Sequence, residues 1–232
     1  GARPAAIGIG CTGPIDPARG TVSNPYTLPL PVDSDITTAL HEAFGVPVRL
    51  DGDAVAAALG EAWLGAARGR VLAACVTIGT GIGCGIVRGG RLQHGAHNPF
   101  PEIGHHVIDP SGPPCYCGLR GCWESIASGT AIGAAGQEVA QSPGGEGLLA
   151  HAGGDAQAVD AGTVFAAARA GDPAALRIVG RAAEATATGV FNIIHFLAPD
   201  CIVLGGGVMR HYDLFEPAVR AAVARLTQIP VD

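Results

Sequence analysis

The residues with the densest chemistry lie at positions 102–124, E-I-G-H-H-V-I-D-P-S-G-P-P-C-Y-C-G-L-R-G-C-W-E. Three of the chain's seven cysteines, Cys115, Cys117 and Cys122, fall in this stretch, with His105 and His106 upstream. Gly118 and Gly121 separate the thiols and let the backbone curl tightly enough for them to converge. Four nitrogen and sulfur ligands suit tetrahedral zinc, and a set of three cysteines and one histidine, with no open position, is structural. Buried free thiols and a disulfide are the competing readings. The clustering of CxC with CGxxGC counts against both, and Cys11, Cys75, Cys84 and Cys201 are scattered singly. Spacing does not choose between His105 and His106 as the fourth ligand. Glu102 and Glu124 bracket the cluster, so an ion that fixed this loop would fix both carboxylates.

A second concentration is Gly79-Thr80-Gly81-Ile82-Gly83-Cys84-Gly85, between an apolar run at 71–78 and Ile86-Val87. This reads as a strand, a glycine-rich tip and a resumed strand. Backbone N–H groups at such a tip can cradle phosphate oxygens, although a tight turn alone also explains the glycines. No lysine follows, so it is not a Walker loop. Asp53 precedes alanines with Val55, Leu59 and Trp63 at helical spacing, which predicts Asp53 at a helix N-cap, accepting orphan N–H bonds. Gly205-Gly206-Gly207 follows a strand at 201–204 and reads as a turn. His94, His97 and Asn98 read as solvated loop residues.

E-x-G-H followed by C-x-C-G-x-x-G-C-x-E resembles the signature of the ROK family of bacterial sugar kinases and sugar-responsive repressors, and the likeness runs from Ile7 to Val208. The resemblance selects His105 as the fourth metal ligand and implies that its other ring nitrogen faces a sugar. It implies sugar contacts from Gly13, Asp53, Glu102, His105 and Glu124, with Asp53 as catalytic base. Thr80, Gly81 and Gly83 become a phosphate loop, and Gly205 and Gly206 an adenosine-binding turn. The implied cofactors are ATP, Mg2+ and a structural Zn2+. The implied function is phosphorylation of a hexose or N-acylhexosamine; the alternative is a sugar-sensing repressor whose DNA-binding segment precedes these residues. The family's asparagine before the aspartate is Gly52 here. The family's first phosphate loop, D-x-G-G-T, and its closing helices are not found in the printed residues.

The elements that must position these groups alternate between strand and helix, which predicts an α/β fold. Strands are expected at 5–11, 21–22, 46–50, 71–78 and 201–204, and helices at 36–44, 125–140, 163–170, 173–197 and 214–226. Residues 141–162, rich in Gly, Ala and Ser, read as a mobile insertion or a small helical lid. The resemblance implies the actin-like ATPase (ribonuclease H-like) architecture, two lobes around a cleft, divided here as 1–64 and 65–232, and a homodimer. Hydrophobic residues make up 48% of the 232, enough for a substantial core, and the net charge of −6 without a basic run argues against a nucleic-acid surface. No run is long enough to span a membrane and no signal peptide is visible; cysteines clustered for metal and otherwise sparse fit a reducing cytoplasm, which is the setting expected.

Overall fold

The computed structural model describes residues 4–24, 28–95 and 101–225. Contacts divide the chain into Gly1–Cys75 with Gly85–Pro101, and Val76–Cys84 with Glu102–Asp232. The division by contacts crosses a β-hairpin.

The first unit opens with β1 (Ile7–Cys11). A small antiparallel ladder follows, ordered β2 (Ile15–Asp16), β3 (Thr21–Val22), β4 (Ser34–Asp35). Its first turn closes where the Gly20 amide donates to the Asp16 carbonyl at 2.8 Å. Asp35 caps α1 (Ile36–Phe44), accepting from the Thr38 amide at 2.9 Å, and Gly45 ends it at φ 67, where a Cβ would be strained. β5 (Val48–Gly52) pairs in parallel with β1, Ile7 opposite Val48 and Cys11 opposite Gly52. A parallel pair needs a crossover, and α1 lies within the connection that supplies it. α2 (Asp53–Leu64) then packs on β1 and β5, burying Ala54, Val55 and Ala58.

β6 (Leu72–Ile78) and β7 (Ile82–Arg88) form the hairpin, and β8 (Arg91–Leu92) pairs antiparallel with β7. The tip is shorter than the glycine run suggests. It spans only Gly79-Thr80-Gly81, closed by the Gly79 amide on the Gly81 carbonyl at 2.9 Å, whereas Gly83 and Gly85 lie within β7. Gly85 is there for space, since a Cβ would press into Ala58 and the Val55 backbone. His97 and Asn98 lie outside the described residues.

In the second unit a 3-10 turn, Ile103–His105, leads into the cysteine loop. The helix expected at 125–140 is two, α3 (Trp123–Ala127) and α4 (Gly129–Ala140). Ser128, at φ −69 and ψ 160, interrupts them and caps the second through its hydroxyl, which accepts from Ala131 at 3.1 Å. Residues 141–162 include helical structure. They contain α5 (Glu146–His151), packed on α4 and on α6 (Ala161–Arg169), with Leu148 fully buried.

α7 (Pro173–Leu197) is the spine of this unit. Asp172 caps it at Ala175, 2.8 Å, and Ala175, Val179, Ala182, Ala183, Val190, Ile193 and Ile194 form its buried stripe. Leu176, at helical spacing from Val179 and Ala183, stands 45% exposed. β9 (Cys201–Gly205) joins the hairpin sheet, whose order is β8-β7-β6-β9. The closing helix is shorter than expected: Val208–Leu214 is a 3-10 stretch, and α8 runs over Glu216–Val223.

Candidate functional site

The loop after the 3-10 turn is knitted by its own backbone. The Ile108 amide donates to the Gly121 carbonyl at 2.8 Å, Cys115 to Leu119 at 2.8 Å, and Trp123 to His106 at 2.9 Å. Gly121, at φ 66, lies so close to the Asp109 carbonyl that a side chain has no room. The folding brings His105, Cys115, Cys117 and Cys122 together, with their ligand atoms all within 4.8 Å of one another. His105, not His106, completes the set; the carbonyl of His106 is engaged by Trp123.

The donor set fits a tetrahedral ion. Cys117 Sγ and Cys122 Sγ are 3.6 Å apart, and Cys115 Sγ and His105 Nδ1 are 3.5 Å apart. Zinc–sulfur and zinc–nitrogen bonds at the tetrahedral angle give edges of about 3.8 Å and about 3.6 Å. Nδ1 points to the thiols, which leaves Nε2 on the other side of the ring. Burial, then the neighbouring thiols, push the Cys122 thiol up to about 12, so its ionisation calls for a cation at the centre of the set.

Glu124 lies in the first turn of α3, two residues after Cys122. Its helix is seated from behind by Trp123, fully buried, whose Nε1 donates to Thr186 Oγ1 on α7 at 3.3 Å. Gly189 on α7 makes the room, because a Cβ there would stand 2.5 Å from the Trp123 ring. Glu124 Oε2 accepts the Ile82 amide at 2.6 Å, which sets the carboxylate against the glycine hairpin. The same hairpin is tied to α4 by Gly129 N–H on the Gly79 carbonyl, 2.7 Å, and by Thr130 Oγ1 on the Thr80 carbonyl, 2.8 Å. Gly104 is buried against it, where a Cβ would meet the Ile82 carbonyl at 2.5 Å. Glu102, at the start of the 3-10 turn, is exposed. His105, Glu124 and Thr80–Gly83 therefore form one neighbourhood within the second unit. Gly206 lies at φ 96 with the Ile78 backbone beneath it, so both its conformation and its space demand glycine.

In the first unit Asp53 is not the N-cap. Gly52 takes that place, and Asp53 is the first helical residue, its Oδ1 accepting the Ala54 amide at 2.7 Å. The chain enters the helix one residue earlier because β5 runs into it without a loop. Asp53 is exposed, and the Cys11 thiol at the end of β1 is pushed up by burial and then by the Asp53 charge. Gly13 is exposed, and its carbonyl accepts Asn24 Nδ2 at 2.7 Å.

Sequence reasoning missed Tyr116, Thr130 and Asn24. Tyr116 packs its ring edge-on to His105, centroids 5.0 Å apart at 84°, with its side chain hydrogen-bonded to the Glu124 carboxylate. Its place between two metal-type cysteines was the available signal. Nothing in the spacing marks Thr130 or Asn24.

A family model described as the ROK family matches residues 2–230. The glucokinase of Thermotoga maritima is 38% identical over 217 residues, 94% of this chain and 68% of its own length. The N-acetylmannosamine kinase of Citrobacter koseri is 34% identical, over 92% of this chain and 71% of its own. The crystal structure of a ROK family glucokinase from Streptomyces griseus, in complex with glucose and AMPPNP, superposes with a TM-score of 0.79 at 32% identity, covering 95% of this chain and 71% of that one.

Proposed function

This chain belongs to the ROK family, and on that premise we propose that it acts as an ATP-dependent kinase on a hexose or N-acylated hexosamine, glucokinase-like in type. The observation that carries the reading is the Glu124 carboxylate, an acceptor for hydroxyls, bonded at 2.6 Å to the first residue after a glycine tip of the kind that holds phosphate. Glu102, His105 through Nε2, Glu124 and the Gly13 backbone are assigned to the sugar. Carboxylates accept hydroxyl bonds with charge assistance, so an analogue lacking the hydroxyl leaves a desolvated charge unpaired. Thr80, Gly81 and Gly83 are assigned to phosphate oxygens, Gly205 and Gly206 to the nucleoside, and Mg2+ accompanies the ATP phosphates.

Asp53 is assigned as general base. The sugar hydroxyl oxygen forms a bond to the γ-phosphorus, its proton passes to the Asp53 carboxylate, and the bond to the bridging oxygen breaks, with the electron pair leaving on ADP. His105, Cys115, Cys117 and Cys122 are assigned to a structural Zn2+, which would hold the loop and contribute no step. A homodimer in the cytoplasm accompanies the reading.

The second reading, a sugar-sensing repressor, is favoured by Gly52, which offers no side chain to a sugar hydroxyl where the family's asparagine does. Sugar-dependent ADP formation with glucose and with N-acetylmannosamine tests the two. Turnover with either supports the kinase. Sugar binding by calorimetry without any ADP release supports the repressor and overturns the kinase.

A further inference from the structure

We propose that Glu124 is a positioning residue that couples the sugar and nucleotide subsites, setting the Gly79-Thr80-Gly81 tip when a sugar hydroxyl engages it. The proposal rests on the sugar-kinase reading above. A carboxylate offers two oxygens and about four acceptor directions. Oε2 is committed to the Ile82 amide at 2.6 Å, a contact across 42 residues of sequence. The Tyr116 hydroxyl also bonds to this carboxylate, and the directions left over are what a sugar hydroxyl would use. The body of the side chain is not free to drift, since its helix is bolted to α7 by Trp123 and Thr186.

The tip is correspondingly dependent on where that carboxylate stands. Gly81 immediately precedes Ile82, and a Cβ on it would lie 2.5 Å from Glu124 Oε2 and 3.3 Å from Cδ. The peptide between Gly81 and Ile82 thus lies directly against the carboxylate. The 3-10 turn carrying His105 rests on the same residue through Gly104, whose Cβ would stand 2.5 Å from the Ile82 carbonyl and 3.4 Å from Glu124 Cβ. Ile82 is therefore gripped on its N–H by one proposed sugar ligand and crowded on its C=O by the turn bearing another. A ligand that fixes Glu124 and His105 fixes the peptide whose neighbours face phosphate. By linkage, phosphate on the tip returns the same factor to the sugar.

The test is a calorimetric cycle on metal-loaded protein, with glucose and N-acetylmannosamine as sugar probes and AMPPNP as nucleotide probe, each titrated with and without the other at saturation. Wild type is expected to show a mutual affinity gain of about fivefold or more. Gly81→Ala lies in the proposed phosphate tip, yet it should weaken the sugar about tenfold and bring the mutual gain to about one, because the new methyl displaces the end of Glu124. Thermal midpoint and metal content check that this variant folds. Glu124→Asp, which keeps the charge but shortens the arm, should likewise remove the gain. Sugar and AMPPNP binding independently in the wild type would overturn the coupling and leave the kinase reading intact. Gly81→Ala weakening AMPPNP alone would do the same. Binding of neither probe by the wild type would overturn the functional reading itself, and the coupling with it.

Discussion

Asp53 shows how little separates a helix-terminal acid from a general base. Its carboxylate is tied to one amide of its own helix and is otherwise open. Asp53→Asn keeps an oxygen for that amide and removes the base. Phosphoryl transfer should fall by at least about a hundredfold, while sugar affinity by calorimetry changes less than about threefold. Undiminished turnover would return Asp53 to a purely local role. The convergence of the three cysteines was legible, because they and their glycines lie within a few positions. The off-by-one at the cap was not, because helix entry depended on β5 continuing to Gly52. The Glu124–Ile82 bond was equally hidden, since 42 residues separate the partners and no period connects them. Spacing offers nothing to distinguish two adjacent imidazoles; the motif resemblance pointed to His105, and the fold brings that ring to the thiols.

Among the elements, the cysteine loop and α6 make contrasting cases. The loop between His105 and Cys122 has few apolar contacts of its own, and Tyr116 and Leu119 are exposed at 82% and 55%. Its order should depend on a bound ion. Cys117→Ser should lower zinc content and the thermal midpoint together, and a chelator should weaken the sugar more than AMPPNP, because His105 and Glu124 adjoin the loop whereas Gly205 and Gly206 lie far from it in sequence. Equal weakening of both ligands would make the loop a general brace. The cap of α6 is the ordinary kind. The Thr163 amide at 2.7 Å and hydroxyl at 2.9 Å hold the Asp160 carboxyl below its usual range. A depressed folded value stabilises the protein above the unfolded value and is lost as pH falls through the folded one. Asp160→Ala should therefore cost about 1 kcal/mol at neutral pH, with the gap to wild type narrowing below about pH 4 in denaturant titrations. The α6 and α7 helices were legible in the sequence, α7 by the spacing of its apolar residues. The break at Ser128 and the packing of α5 were not, because small residues carry little hydrophobic signal and tertiary burial supplied the rest.

At the scale of the molecule, the strand–helix alternation of an α/β chain was plain in the sequence. Contacts assign the base of the hairpin to one unit and its tip to the other. Chain order carries no record of that, since both halves are one continuous β-ribbon. The two tryptophans are placed very differently. Trp63 is 72% exposed on α2, and Trp123 is fully buried between Cys122 and Glu124. The protein thus contains its own optical probe of the loop. Iodide should quench the red-shifted emission of Trp63 and spare a blue-shifted component from Trp123. In a Trp63→Phe background the remaining emission should stay blue and unquenched while metal is bound, then move to longer wavelength and become quenchable as a chelator opens the loop. The buried indole beside the last cysteine turns metal occupancy into a colour that can be followed in real time.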